Sequence, residues 1–435
     1  MNKFKNHIDQ NLPFLKGKKL LLAVSGGIDS MALTAIFHSL NYDISLAHCN
    51  FNLRGTESDK DESFVQNVGQ KLAIKTFCSC FDTKSYAQEN KISTQIAARD
   101  LRYKWFKELS AKNKFDYILT AHHLDDNLET FIINLTRGTG LDGLTGIPVV
   151  NNKIIRPLLN FSRNEIESYA NQNQIEWRED QSNSTTKYTR NKIRHQIVPI
   201  LKEINPSLLS SFQKTITNLK GSQEIINDTV SNLKKEAFTT TNEYIKIKIS
   251  VIKQIPNYKP YLFEILKEFE FTEWNDVNHL LESQSGKFVL SKTHRLLKDR
   301  EFLYVTKINA GESKKEFLIS KTNSSFTFPI RITLKSVLKT SEESLSSIFI
   351  DENTITFPLT LRKWLPGDYF YPKGMKGKKK LGKYFKDEKY SLIDKETTWV
   401  LTSGDNIIWI IGKRQDQRFM VSHNTKKITN IKISQ

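Results

Sequence analysis

Residues 20–30 read LLLAVSGGIDS, and the fold of the surrounding chain follows from how this stretch is read. Leu20–Val24 is a short apolar run suited to a buried strand, Ser25–Gly27 is a turn, and a helix is expected to start near Asp29. Strand, glycine turn and helix together make a phosphate cradle. Glycines let the backbone approach an anion closely, and the free N–H groups at the helix start point at it. The loop has no Lys, so it is not the GxxxxGK[ST] loop that grips β- and γ-phosphates, and it lacks the GxGxxG spacing of dinucleotide folds. A carboxylate inside the loop, Asp29, repels phosphate unless a metal ion lies between them. The alternative is a tight turn followed by a helix capped by Asp29 or Ser30.

Working outward, residues 1–215 alternate strand and helix patterns. Strands are expected at Ile44–Cys49, Ile74–Cys80 and Tyr117–Ala121, and helices at Glu57–Leu72, Ser93–Ala111 and Asp125–Leu135. Alternation at this spacing implies an α/β fold with a doubly wound parallel sheet, whose ligands sit beyond the carboxyl ends of the strands. The chemistry-bearing residues fall at those ends. AHCNFNLRG follows the second strand, where His48 and Asn50 can hydrogen-bond a base or ribose and Arg54 can face a phosphate. His48 read alone is a satisfied strand-end residue. Arg99 and Arg102 lie one turn apart on the long helix, a spacing that also suits a surface salt-bridge face.

TAHHLDDNLET follows the fourth strand and places His122, His123, Asp125, Asp126 and Glu129 at a strand end and helix start. A capping box between Asp126 and Glu129 accounts for two of them. The sharper reading makes this cluster the source of a second oxygen ligand for Mg2+ opposite Asp29. Zinc is disfavoured because HHxDD lacks the HExxH spacing. Next, LTRGTGLDGLTGIP (135–148) carries four glycines and reads either as a loop that lets a substrate pass closely or as a flexible connector. IIRPLL (154–159) is expected to begin a further element at Arg156–Pro157. In the run 179–199, Arg190 and Arg194 share a helical face suited to phosphate.

A chain of 435 residues is too long for one core. The formal charge of +18 favours a polyanionic partner. From Arg362 to Lys389, ten Lys/Arg stand against three Asp/Glu, interleaved with aromatic residues. Basic groups neutralise phosphates, and aromatic faces stack on bases or pack a local core. No run approaches a membrane span, no secretory signal is expected in the first thirty residues, and Cys49, Cys78 and Cys80 lack CxxC spacing. Free thiols in a cytoplasmic protein are the expectation.

SGGIDS, HCNFNLRG, ARDLRY, TAHHLDDNLET, RGTGLDGLTGI, RPLL and EDQSN…YTRNKIRHQIVP, in this order, resemble the tRNA(Ile)-lysidine synthetase family of PP-loop ATP pyrophosphatases. The resemblance implies an adenine-nucleotide-hydrolase-like catalytic domain over 1–215, a mostly helical tRNA-binding domain over 216–315 and a basic α+β tRNA-binding domain over 316–435. The last of these would carry RxxxxGD at Arg362…Gly367–Asp368 and KxLxxxF at Lys380–Leu381…Phe385. It implies ATP and Mg2+ as cofactors, with free L-lysine and an isoleucine tRNA with a CAU anticodon as partners.

The same resemblance places ATP on Ser25, Gly26, Gly27, Ile28, Asp29, Ser30, His48 and Arg99, and Mg2+ on Asp29 and Asp126. Catalysis falls to Asp29, Asp126, Asp125, His123, Glu129 and Arg194. Asp125, Glu129 and His123 are the candidates to deprotonate the lysine amine. Arg137, Arg190, Arg194, Arg362, Lys363, Lys378, Lys379 and Lys380 are the expected tRNA contacts. Three rivals remain: a tRNA thiolase, which would need paired cysteines; a small-metabolite amide synthetase, which would not require a basic tail; and a tRNA-binding protein that has lost catalysis.

Overall fold

A computed structural model describes residues 2–179, 189–308, 316–321, 325–327, 330–340, 344–375 and 377–434. Residues 180–188, which carry all of EDQSN but Glu179, residues 310–315 and residue 376 lie outside them. The chain forms two compact units, 1–227 and 228–435.

In the first unit the elements run α1 (Asn2–Asn11), β1 (Lys19–Ala23), α2 (Ile28–Ser39), β2 (Asp43–Asn50), α3 (Thr56–Lys71), β3 (Thr76–Cys80), α4 (Thr83–Glu89), α5 (Thr94–Asn113), β4 (Tyr117–Leu119), α6 (Leu124–Arg137), α7 (Leu141–Leu144), β5 (Val150–Asn151), β6 (Ile154–Ile155), α8 (Arg163–Gln172), α9 (Thr189–Lys192), α10 (Val198–Ile204) and α11 (Leu208–Ala237). The sheet order is β3-β2-β1-β4-β6-β5. All neighbours pair parallel except the terminal β5, which turns back antiparallel on β6. β1 is buried on both faces because helices cover both. Leu20 and Leu22 pack with Ile36, Phe37 and Ile166 on one side, while Leu21 packs with Phe106, Leu109 and Phe115 on the other. The chain leaves β1 toward β2 and β3, then crosses back to lay β4 on the other side. The carboxyl ends of β1 and β4 therefore flank the switch point where doubly wound sheets bind ligands.

The expected strands and helices of this unit are present, displaced by a few residues at their ends. IIRPLL differs. A strand, β6, ends at Ile155, and Pro157–Asn160 is a turn in which Pro157 can supply no ladder N–H. Arg156 is buried there and donates from Nη1 to Pro148 O at 2.7 Å. A π-helical turn, Ile193–Ile197, separates α9 from α10 and stands just ahead of Pro199, which has no N–H for a regular helical ladder.

The second unit has two cores. Over 216–315 the expectation is mostly helical with a strand hairpin at 286–305; the structure extends that hairpin into an antiparallel sheet of five strands, Phe238–Thr240, Tyr244–Lys248, Phe302–Lys307, His294–Asp299 and Phe288–Leu290 in spatial order, which packs with the helices Tyr258–Leu266 and Trp274–Leu280. The strands are short and lysine-rich on one face, as in YIKIK, so their alternation carries little apolar signal. Beyond Phe317 two four-stranded sheets share a core of Leu359, Leu361, Leu401 and Trp409 with Ile332, Ile350 and Ile431. The helix Leu381–Asp387 buries Leu381, Tyr384 and Phe385 in a satellite cluster, which accounts for the KxLxxxF spacing.

Candidate active site

The SGGIDS turn closes on itself before any ligand is considered. Ser30 Oγ donates to Gly27 O at 2.9 Å and accepts from Ser25 N at 3.2 Å. Gly26 has φ +90°, a conformation open to glycine. The N-cap of α2 is Gly27, and no side chain caps it, so neither Asp29 nor Ser30 plays the capping role and the first-turn amides remain directed into the switch point. The loop is also braced from far downstream. Arg178 N donates to Gly26 O at 3.0 Å, while its side chain binds Asp61 at 2.6 Å and Glu57 at 2.8 Å on α3. Asp61 also accepts from Arg54 at 2.7 Å.

The HHLDD segment lies beside it. His123 caps α6: its Nδ1 accepts from Asp126 N at 3.4 Å, and Asp126 Oδ2 accepts from His123 N at 3.0 Å. The capping box is thus His123 with Asp126 rather than Asp126 with Glu129. With Nδ1 accepting, the neutral ring carries its proton on Nε2, which lies 3.8 Å from Asp29 Oδ2 and 3.5 Å from Asp126 Oδ2. The two carboxylates proposed from distant motifs therefore meet across one buried imidazole. Their environments differ. Burial pushes the Asp29 carboxyl above its ordinary value, partly offset by His123 and Arg163. Burial acts the same way on Asp126, but His123, Arg190 and His122 outweigh it and hold that carboxyl below the usual range.

Glu129 is buried beneath Asp126 and carries two arginines. Arg194 donates from Nε to Oε1 at 2.6 Å and from Nη2 to Oε2 at 3.0 Å, and Arg190 donates from Nε to Oε2 at 2.7 Å. Both also reach Asp126 Oδ1, at 3.1 and 3.2 Å. Arg190 and Arg194 do share a face, as the sequence implies, but that face turns onto two carboxylates of the chain itself. Asp125 accepts from Arg163 N at 2.8 Å and from Lys202 Nζ at 2.9 Å. Burial raises the Asp125 carboxyl, yet these partners and His123 bring it net below the ordinary value. Arg163 Nη1 donates to Asp29 Oδ2 at 2.9 Å. Arg163, Arg178 and Lys202 were missed in the sequence because each side chain meets its carboxylate across more than seventy residues, and no local spacing announces them.

The remaining expected residues fall into distinct environments. His48 is buried and bonds through Nδ1 to Val24 O at 2.9 Å, propping the end of β1. Asn50 holds Asp59 and Glu62, each at 3.0 Å. Arg99 is exposed on α5, 4.9 Å from the Tyr103 ring, and its charge bears on His122. Arg137 is exposed at the end of α6. The glycine-rich 138–146 loop is tied to α6: Asn134 binds Gly143 O at 2.9 Å, and Asn127 Oδ1 accepts from Ile147 N at 2.6 Å.

In the second unit, Arg362 forks onto Asp368 at 2.8 and 2.9 Å, both side chains nearly buried, so the RxxxxGD spacing is that of an internal ion pair. Lys363 donates to Thr397 O at 2.8 Å and Lys379 pairs with Asp387 at 2.9 Å. Lys378 lies 4.8 Å from the Tyr369 ring, and Lys380 is exposed.

Whether these residues suit a metal can be judged from Asp29. Its Oδ1 is buried and has no hydrogen-bond partner, an expensive state for a carboxylate oxygen. Among the described residues no group of three or more His, Cys, Asp or Glu is arranged to hold a metal. Magnesium commonly needs only one or two carboxylates when substrate phosphates supply the remaining oxygens, so Asp29 with Asp126 beside an open helix start fits. Cys49 and Cys78 do not suit sulfur chemistry: burial pushes Cys49 up to about 12 and also raises Cys78. Among the described residues no helix is long and apolar enough to cross a membrane.

Comparison with known proteins agrees with this geometry. A PP-loop domain model matches residues 1–201, a TilS substrate binding domain matches 240–308, and a TilS substrate C-terminal domain matches 359–433. The tRNA(Ile)-lysidine synthase of Parabacteroides distasonis is 38% identical over 417 residues, covering 94% of each chain. That of Bacteroides thetaiotaomicron is 38% identical and covers 98% of each chain, and that of Bacillus subtilis is 30% identical over 95% of this chain and 94% of its own. The three domain matches and the identity to these relatives run along nearly the whole length, and the chain belongs to the tRNA(Ile)-lysidine synthase family.

Proposed function

We propose that this protein ligates L-lysine to carbon 2 of the wobble cytidine in an isoleucine tRNA with a CAU anticodon. The cytidine oxygen attacks the α-phosphate of ATP and pyrophosphate leaves. The lysine side-chain amine then attacks carbon 2, the C–O bond to the adenylate breaks, and AMP leaves. The modified base pairs with A rather than G, so the tRNA passes from methionine to isoleucine identity. The observation that carries this reading is the meeting of Asp29 and Asp126 across His123 at the switch point of the sheet.

In this reading Ser25, Gly26, Gly27, Ile28 and Ser30 cradle the pyrophosphate end of ATP, and Asp29 and Asp126 hold Mg2+, which would withdraw charge from the leaving group. His48 positions the loop through Val24. Arg190 and Arg194 hold Glu129 and Asp126 in place. A lysine amine is protonated at neutral pH and must give up that proton before attack. Of the three candidate acceptors, His123 uses Nδ1 to cap α6 and Glu129 has both oxygens clamped by arginines. Asp125 is favoured because its present partner, Lys202, is itself an ammonium that a substrate ammonium can replace. The regions 216–315 and 316–435 hold the tRNA body, with Lys378 and Lys380 toward phosphate.

Labelled lysine, ATP, magnesium and a tRNA transcript, followed by nucleoside mass analysis, test the proposal. A lysine adduct on the anticodon cytidine is the expected result. ATP turnover to AMP without tRNA would overturn it.

A further inference from the structure

Arg163 stands where the proposed metal chemistry would be. Its guanidinium donates to Asp29 Oδ2 at 2.9 Å, beside an Oδ1 that no other group satisfies. Its backbone is fixed: the amide donates to Asp125 Oδ2, and Ser162 and Glu165 cap the helix that it opens. Its head is not fixed, because the side chain is 44% exposed and Nη1–Asp29 is its one ion pair among the described residues. Ion pairs exposed to this degree are worth little and exchange readily. A carboxylate that accepts a guanidinium cannot also face a bare dication without bringing two positive charges together.

We infer that Arg163 competes with the divalent cation for Asp29, so that metal binding at this carboxylate is conditional on nucleotide. The inference rests on the nucleotide-binding part of the reading above. Without a polyphosphate the guanidinium has its best partner in Asp29 and keeps the cation off. With a polyphosphate in the neighbouring loop, Arg163 gains phosphate oxygens within the reach of its side chain. It then releases Asp29 and adds positive charge where pyrophosphate departs. Arg163 is in this sense a positioning residue that orders the assembly of the site.

The test is equilibrium binding of Mn2+ alone to the full chain, followed by electron paramagnetic resonance. Arg163→Gln is expected to tighten Mn2+ binding at least about tenfold without nucleotide, the scale of removing one nearby charge. It is also expected to weaken binding of a non-hydrolysable ATP analogue in the presence of Mn2+. Arg163→Lys, which keeps the charge, should stay near the native Mn2+ affinity. The tightening must vanish in Arg163→Gln/Asp29→Asn, which ties it to this carboxylate. Unchanged Mn2+ affinity in Arg163→Gln, or tightening that survives loss of Asp29, overturns the inference. Because the readout needs neither tRNA nor lysine, failure of lysidine formation would leave this result standing on its own.

Discussion

Arg194 grips Glu129 with two parallel bonds, Nε to Oε1 at 2.6 Å and Nη2 to Oε2 at 3.0 Å, around a carboxylate whose side chain is only 2% exposed. A pair held this way is weak evidence of net stabilisation, but removing the buried carboxylate leaves the guanidiniums, 41% and 27% exposed, with Asp126 alone among the described residues to neutralise them. Glu129→Ala should therefore lower stability by roughly 1–3 kcal/mol, read as a reduced urea midpoint with an unchanged slope. A loss under about 1 kcal/mol would mean the arginines find other partners.

Asp29→Asn should reduce lysidine formation on the order of a thousandfold while tRNA binding stays near native. It should not destabilise the fold at pH 7. Burial raises this carboxyl in the folded state, so its contribution to stability is full only below its unfolded value of 3.8 and declines as pH rises through the folded one. Equal losses of tRNA binding and activity would make the residue structural.

His122 gives a pH signature. Burial, reinforced by Arg156, Arg190 and Arg99 and opposed by Asp126, lowers its imidazole to about 4, and Thr120 Oγ1 lies 2.9 Å from Nδ1. The folded state therefore holds it neutral, and the unfolded chain protonates first as acid is added. Stability that is present above pH 6.5 should be lost progressively as pH falls toward 4. His122→Gln should flatten thermal stability measured across that window.

Gly146→Ala should cost roughly 2 kcal/mol or more. Its φ is +75°, and an added Cβ would sit 2.2 Å from Asn127 Oδ1, the oxygen that accepts from Ile147 N. The substitution frees the 138–146 loop from α6, and proteolysis within the loop should accelerate. An unaltered cleavage rate would show that the loop has other anchors.

Within the basic segment the lysines and Arg362 should behave differently. Lys378→Glu with Lys380→Glu should weaken tRNA binding and flatten its salt dependence by roughly 0.7–0.9 for each phosphate that is no longer neutralised. Arg362→Ala should instead lower the melting temperature of the second unit, because its charge is spent on Asp368. An unchanged salt slope in the double lysine variant would remove this tract from the interface.

Much of the first unit was legible because its signals are local. The apolar run before SGGIDS, the alternation of strand and helix, and the position of HHLDD at a strand end all follow from periodicity and turn chemistry over short windows. These signals point to a second oxygen ligand from HHLDD opposite Asp29, and the family resemblance narrows it to Asp126. What was not legible is which charges each one meets. Arg163, Arg178 and Lys202 look like ordinary surface residues in the sequence, and only the return of the chain to the sheet brings them to Asp29, Asp61 and Asp125. Conversely, Arg190, Arg194 and Arg362 looked free for phosphate because a sequence shows charge but not whether the charge is already spent. The strands Phe238–Thr240 and Tyr244–Lys248 escaped for a related reason: the lysine-bearing face of YIKIK masks an alternation that only the buried side reveals.

The bond from Arg178 N to Gly26 O joins the nucleotide loop to a segment some 150 residues later. On a ribosome the loop emerges early but lacks its brace until nearly the whole first unit has been synthesised. A growing chain should then be unable to hold ATP, and competence to bind the nucleotide should arrive in one step near the end of that unit rather than accumulate with length.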